Sequence, residues 1–181
     1  RTCGGAVSVN KPLEKERSYQ AKSMDNLAAK MRIAKQAAAL VSPGMSVFLD
    51  AGTTVLEVAK LLESISNLSV ITNDLKVALH LCHFPHELYF LGGLVQKETG
   101  SIISNTSDGA FDFSVDIAFI GASTISPEYE MFSPTQLKAS FKRLVRKKAR
   151  LTYLLADASK FGRRALFRSD ALSDYSGVIT D

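Results

Sequence analysis

A chain of 181 residues, 46% hydrophobic, 22% charged and 8% aromatic, has enough apolar content for one domain with a substantial core. Its net charge of +4 is too mild to indicate nucleic acid by itself, and Cys3 and Cys82 are too few and too far apart for a disulfide framework or a zinc site. No apolar run approaches the ~18–20 residues of a membrane-crossing helix, and no signal-peptide pattern opens the chain. A cytoplasmic protein with no membrane partner is expected. The start at Arg1 without Met points to a piece of something longer.

In chain order, residues 1–24 read as polar and irregular. Over 25–41 the apolar positions Leu27, Met31, Ala34, Ala38 and Val41 recur at helical spacing, and Pro43 with Gly44 stops the helix. A strand at 46–49 leads to a helix at 54–64, a strand at 68–72, a helix at 75–82 and a strand at 87–91 closed by Gly92 and Gly93. The stretch 94–113 reads as a loop with one short helix, and 116–120 as a strand ending at Gly121. A basic helix over 134–149 has Leu137, Phe141, Leu144 and Val145 on one face. A strand at 151–156 follows, and Val178 and Ile179 belong to a last one. Short apolar strands separated by helices predict an α/β fold: a mostly parallel sheet with helices on both faces.

The stretch 47–57, Val-Phe-Leu-Asp-Ala-Gly-Thr-Thr-Val-Leu-Glu, is the most informative. A strand runs into Asp50, turns at Gly52 and opens a helix at Thr53 and Thr54. Thr54 and Glu57 have the spacing of a capping box. Free N–H groups at a helix start form an anion site, and two hydroxyls with a glycine suit that anion to being a phosphate ester. A side chain that caps those amides would compete with the phosphate, and a turn that simply caps itself is the plain alternative.

Five strands end in small or polar residues: Asp50, Ala51 and Gly52; Thr72 and Asn73; Gly92 and Gly93; Gly121, Ala122 and Ser123; and Asp157, Ala158, Ser159 and Lys160. Ligands of open α/β sheets bind beyond the carboxyl ends of the strands. Glycine permits backbone approach, Thr and Asn offer groups to sugar oxygens, and Lys160 supplies a cation. The inventory fits a small phosphorylated polyol, although turns favour these residue types anyway.

The same blocks resemble the C-terminal sensor domain of the DeoR family of bacterial sugar-metabolism regulators. The matching residues are Gly-Gly-Ala at 4–6, Arg-Ile-Ala at 32–34, Phe-Leu-Asp-Ala-Gly-Thr-Thr at 48–54, Val-Ile-Thr-Asn at 70–73 and Leu-Gly-Gly at 91–93. They continue with Asp-Ile-Ala-Phe-Ile-Gly-Ala at 116–122, Ala-Asp-Ala-Ser-Lys-Phe-Gly at 156–162 and Val-Ile-Thr-Asp at 178–181. The resemblance implies a fold similar to ribose-5-phosphate isomerase and glucosamine-6-phosphate deaminase. It implies a homo-oligomer and a repressor of a sugar-utilisation operon, with operator DNA held by a winged helix-turn-helix absent from this chain. On that reading, 1–24 is a linker and 25–181 is the sensing domain, whose effector is a phosphosugar or related phosphorylated intermediate.

The resemblance also implies roles for individual residues. Gly52, Thr53 and Thr54 would hold the phosphate, with Asp50 near the sugar hydroxyls. Thr72 and Asn73 would close one side, Gly92 and Gly93 the floor, Gly121 a further wall, and Lys160 with Asp157 the far wall. Lys142 matches a family lysine expected in the crevice. It also lies in a charge run with Lys138, Arg143, Arg146, Lys147, Lys148 and Arg150, so a solvated helix face is the alternative. One or two lysines complement a phosphate ester of about −1.5 to −2 charges.

After Ala122 the family usually has Asp-Gly where this chain has Ser123 and Thr124, and the segment 126–133 also differs. An isomerase or deaminase of this fold uses carboxylates at that wall, which Ser123 cannot replace as a base. The enzyme alternative would rest on Asp50, and no catalytic residue is assigned. His80, His83 and His86 beside Cys82 read as a helix end running into a turn, better than as a metal site. The basic helix lacks the aromatic interleaving of a nucleic-acid patch, and no nucleotide-binding glycine fingerprint occurs, so no cofactor is expected.

Overall fold

The structure, a computed structural model, describes residues 17–103 and 112–181. The matching block at 4–6 and the middle of the 94–113 segment lie outside the described residues. Among the described residues the α-helices and strands follow in order: α1 (Tyr19–Ser23), α2 (Leu27–Ala38), β1 (Ser46–Leu49), α3 (Thr53–Leu62), β2 (Ser69–Thr72), α4 (Leu75–Leu81), β3 (Glu87–Phe90), β4 (Leu94–Gln96), β5 (Ser101–Ile103), β6 (Val115–Gly121), β7 (Thr124–Ile125), β8 (Glu130–Ser133), α5 (Gln136–Lys148), β9 (Ala149–Leu155), β10 (Phe167–Ala171) and β11 (Gly177–Ile179).

Among the described residues the main sheet has the order β11-β9-β6-β1-β2-β3, and every pairing within it is parallel. Strand side chains alternate between faces. Val47 and Leu49 therefore join a core with Ile33, Val55, Val58 and Val77 from α2, α3 and α4. Phe48, Ala118 and Ile120 join a second core with Phe141 and Val145 of α5. Helices on both faces of a parallel sheet were expected and are found. The chain runs outward from β1 through β2 to β3, then returns to place β6 on the other side of β1. This reversal creates a topological switch point, where adjacent connections leave in opposite directions and a crevice opens at the carboxyl ends.

Several local expectations are corrected. In the described part of the segment 94–113 a hairpin of β4 and β5 stands where a loop or short helix was expected, and Gly100 takes φ +73 at its turn. The β-branched Val95, Ile102 and Ile103 favour strands where no helical stripe exists. Residues 17–24, expected to be irregular, include α1, which Ser18 caps by accepting from the Ala21 amide at 3.2 Å. On α2 the buried stripe is Ala29, Lys30, Ile33, Ala34 and Ala37, while Leu27 and Met31 are exposed. Leu137 of α5 is exposed too. A small antiparallel sheet of order β10-β8-β7 packs beside α5, an addition the sequence did not signal.

Candidate functional site

A cavity opens over the switch point between β1 and β6. Asp50, one residue past β1, accepts a hydrogen bond at Oδ2 from the Gly121 amide at the end of β6, at 3.2 Å. Lys142 reaches in from α5 and pairs with the same Oδ2, and its Nζ also donates to the Gly121 carbonyl at 2.7 Å. The two side chains are only 7% and 5% exposed, so the ion pair is buried at the base of the cavity. Of the two readings of Lys142, the crevice-facing one holds. Its neighbours in the charge run are also occupied: Arg146 pairs with Asp170 at 2.8 Å, and Arg143 donates to the Arg168 carbonyl at 2.8 Å.

The wall beside Asp50 is the start of α3. Gly52, not Thr54, is the N-cap residue, and no side chain caps the helix. The expected capping box is therefore absent: Thr54 lies inside the first turn, and Glu57 pairs with Lys60 at 2.8 Å. Gly52 has φ +156 and ψ +157, a region open only to glycine. This conformation turns its amide toward Asp74, whose Oδ2 accepts it at 3.1 Å. The first helical bond is donated by Leu56 to the Gly52 carbonyl at 2.9 Å. The amides of Thr53, Thr54 and Val55 precede that bond, and these three residues line the cavity. Competition between cap and ligand, anticipated from the sequence, does not arise.

Asp74, buried and itself part of the cavity lining, also caps α4, accepting from the Lys76 and Val77 amides at 2.7 and 3.3 Å. Burial pushes its carboxyl above the usual range, against the pull of those amides, Lys76 and Gly52. Asn73 lines the cavity and donates from Nδ2 to the Ile102 carbonyl at 3.3 Å, while its buried Oδ1 has no hydrogen-bond partner. Thr124 Oγ1, on the opposite wall, is in the same condition.

The far wall is cationic. Lys160 sits in the 3₁₀ turn Ala158–Lys160 after β9, with Nζ 3.9 Å from Asp157. Burial lowers the Lys160 pKa; Asp157 opposes the shift, and the like charges of Lys22, Arg17 and Arg163 reinforce it. Asp157 is itself buried and fixed by Asn26 Nδ2 and the Ser159 amide, each at 3.0 Å. Burial raises the Asp157 carboxyl, but the Ser159 bonds, the Lys160 charge and Asn26 outweigh it and hold it below the usual range.

Of the residues singled out from sequence, Asp50, Gly52, Thr53, Thr54, Asn73, Gly121, Lys142 and Lys160 come together around this cavity. Thr72, Gly92, Gly93 and Asp157 do not line it. Thr72 is fully buried and donates to the Leu49 carbonyl at 2.8 Å, and Asp157 stands behind Lys160. Gly92 and Gly93 follow β3, an edge strand two strand spacings from β1, or about 10 Å. Sequence reasoning missed Asp74, whose position between a strand and a helix is an N-cap signal. It also missed Arg17, Lys22 and Arg163, which no local pattern marks. His80 of the histidine cluster lies 3.5 Å from Glu63, and no metal-binding group of three residues occurs among the described residues.

The sequence pattern described as the DeoR C terminal sensor domain matches residues 25–181. The HTH-type transcriptional regulator GlpR of Haloferax volcanii is 31% identical over 182 residues, covering 100% of this chain and 71% of its own length. The glycerol-3-phosphate regulon repressor of Escherichia coli is 32% identical, covering 98% of this chain and 71% of its own. In structure, the chain is similar to ribose 5-phosphate isomerase A of Methanocaldococcus jannaschii, with a TM-score of 0.55 at 20% identity. That match covers 76% of this chain but spans about half, 55%, of the isomerase. eIF2B beta of Chaetomium thermophilum gives a TM-score of 0.61 at 14% identity, over 84% of this chain and 50% of that one. These structural likenesses concern the fold alone. With the family pattern across 25–181 and DNA-binding regulators matched along the whole chain, this chain belongs to the DeoR family of transcriptional regulators, as its C-terminal sensor domain.

Proposed function

We propose that this sensor domain binds a phosphorylated sugar, or a related phosphorylated metabolite, at the β1–β6 switch. Binding then alters how an attached helix-turn-helix segment holds operator DNA. The observation that carries the reading is the start of α3, which has no side-chain cap: Thr53, Thr54 and Val55, whose amides precede the first helical bond, line the cavity, and Lys160 shares the lining. A helix N-terminus and a lysine together complement a phosphate dianion. Gly52, Thr53 and Thr54 hold the phosphate in this reading. Asp50, Lys142 and Asn73 meet the sugar hydroxyls, Asn73 through the Oδ1 that has no partner. Thr72 and Asp157 contribute from behind the wall, and Gly92 and Gly93 lie away from the ligand.

The relatives' names support a regulator of a sugar or polyol-phosphate operon, acting as a repressor. Exposed Leu27 and Met31, one helical turn apart, with Met24 just before them, provide apolar surface for a second copy in a homo-oligomer. An isomerase or deaminase would need a free carboxylate base, whereas Asp50 is held by Lys142 and Gly121. Binding without turnover is therefore expected. The test is thermal unfolding against a panel of sugar phosphates, with the parent sugars as controls and Thr53→Val plus Thr54→Val as the comparison. A shift with a phosphorylated sugar alone, reduced in the variant, is the expected result. Equal shifts with parent sugars, or conversion of the ligand, would sink the reading.

A further inference from the structure

The cavity is completed by residues outside the span that matches the sensor-domain family. Arg17, Tyr19 and Lys22 line it, although the family pattern begins at residue 25. They belong to α1 and its approach, a five-residue helix with no buried residue. So short a helix has little stability of its own. Its ties to the domain are polar: the Tyr19 amide donates to the Glu98 carbonyl at 2.8 Å, Lys30 Nζ donates to the Lys22 carbonyl, and Lys76 Nζ lies 4.0 Å over the Tyr19 ring. Arg17 also pairs with Asp25 at 2.8 Å in an exposed bridge.

Across the cavity stand Lys160 and Arg163, so docking α1 brings cations toward cations. Burial is the main cause of the depressed Lys160 pKa, and the nearby charges of Lys22, Arg17 and Arg163 add to it against Asp157. An anion between the two groups converts the repulsion into attraction on both sides.

We propose that Arg17 and Lys22 are effector-contacting residues, and that an anionic group held between them, Lys160 and the start of α3 fastens residues 17–24 over the cavity. The inference rests on the phosphate reading above and adds where its signal leaves the domain. Residues 17–24 lead directly back along the chain toward residue 1, the side on which the sequence pattern anticipates the DNA-binding unit. Fastening this strap therefore transmits occupancy without requiring the core to change shape. A ligand shifts an equilibrium only through contacts it makes in one state, and Arg17 and Lys22 supply such contacts.

The test is hydrogen exchange at the Tyr19 amide of this chain, with inorganic phosphate against chloride at matched ionic strength, beside thermal unfolding in the same buffers. Phosphate is expected to raise the unfolding temperature and slow Tyr19 exchange at least tenfold. With Arg17→Gln plus Lys22→Gln, the slowing is expected to vanish while a residual thermal shift persists from α3 and Lys160. A thermal shift with Tyr19 exchange unchanged would overturn the strap and leave the anion site standing. The same slowing in the double variant would remove Arg17 and Lys22 as contacts. No effect of phosphate on either quantity would overturn the anion site itself.

Discussion

At the scale of single residues, the Asp50–Lys142 pair has the largest energetic consequence. Two opposite charges with almost no solvent contact are tolerable only because each satisfies the other, with Gly121 supplying a donor and an acceptor besides. Lys142→Met keeps the length of the side chain and strands the Asp50 carboxylate with the Gly121 amide alone. A loss of about 3–5 kcal/mol is expected, measured by urea unfolding. Adding Asp50→Asn removes the stranded charge and should recover most of that loss; if the double variant were as unstable as the single, the ion pair would not be the cause. Sequence could not choose between the two settings of Lys142. A lysine in the run from 138 to 150 looks like a solvated helix face, and only the packing of α5 beside β6 turns this one inward. The turn at Gly52 was more legible, because a glycine between a strand and a helix start marks a turn, although its role as the N-cap of α3 was not foreseen.

At the scale of elements, the turn after β9 shows how one carboxylate organises a wall of the cavity. Asp157 fixes the 3₁₀ turn through Ser159, ties α2 in through Asn26, and stands 3.9 Å from Lys160. Its folded-state pKa lies below the reference value of 3.8, so its charge stabilises the fold above that pH. The contribution disappears as pH falls through the depressed value. Asp157→Asn is nearly isosteric and removes only the charge, so the variant should be less stable than the parent at neutral pH. The gap should close as the pH drops below 3.8, as read by thermal melts in a pH series; a gap independent of pH would show that charge is not its origin. The strand–helix alternation behind this turn was readable, because parallel strands buried on both faces are short apolar runs. The antiparallel additions were not. β7 has two residues and β10 reads Phe-Arg-Ser-Asp-Ala, which carries no apolar alternation to detect. The orientation of α2 was misjudged for a related reason. Buried Lys30 is anchored by the Lys22 carbonyl, so the buried stripe is set by a tertiary contact and not by Leu27 and Met31.

For the whole molecule, what matters is that the crevice lies on the seam between the two directions of chain winding. Of the five strand ends that suited a ligand, those after β1, β2, β6 and β9 line one cavity over the seam where connections diverge, and the end of the edge strand β3 does not. Strand order is a property of the assembled sheet, and for that reason Gly92 and Gly93, after the edge strand β3, could not be told from Gly121 beforehand. The same topology makes a prediction about cooperativity. The cavity takes lining from α3, on one face of the sheet, and from Lys138 and Lys142 of α5, on the other. On the proposed reading, a bound sugar phosphate would bridge the two layers, since α3 belongs to one core and α5 to the other. At ~100 times its Kd, such a ligand adds roughly 2.7 kcal/mol to the folded state. If the sheet unfolds as one cooperative unit, that increment should slow exchange about 100-fold both at Val70 in β2 and at Leu154 in β9, which flank the switch on opposite sides. Slowing confined to one of these amides would mean that the switch point is a boundary between two separately unfolding halves. The continuous parallel pairing from β9 through β6 and β1 to β2 argues for the single unit, since every strand across the seam is bonded to the next.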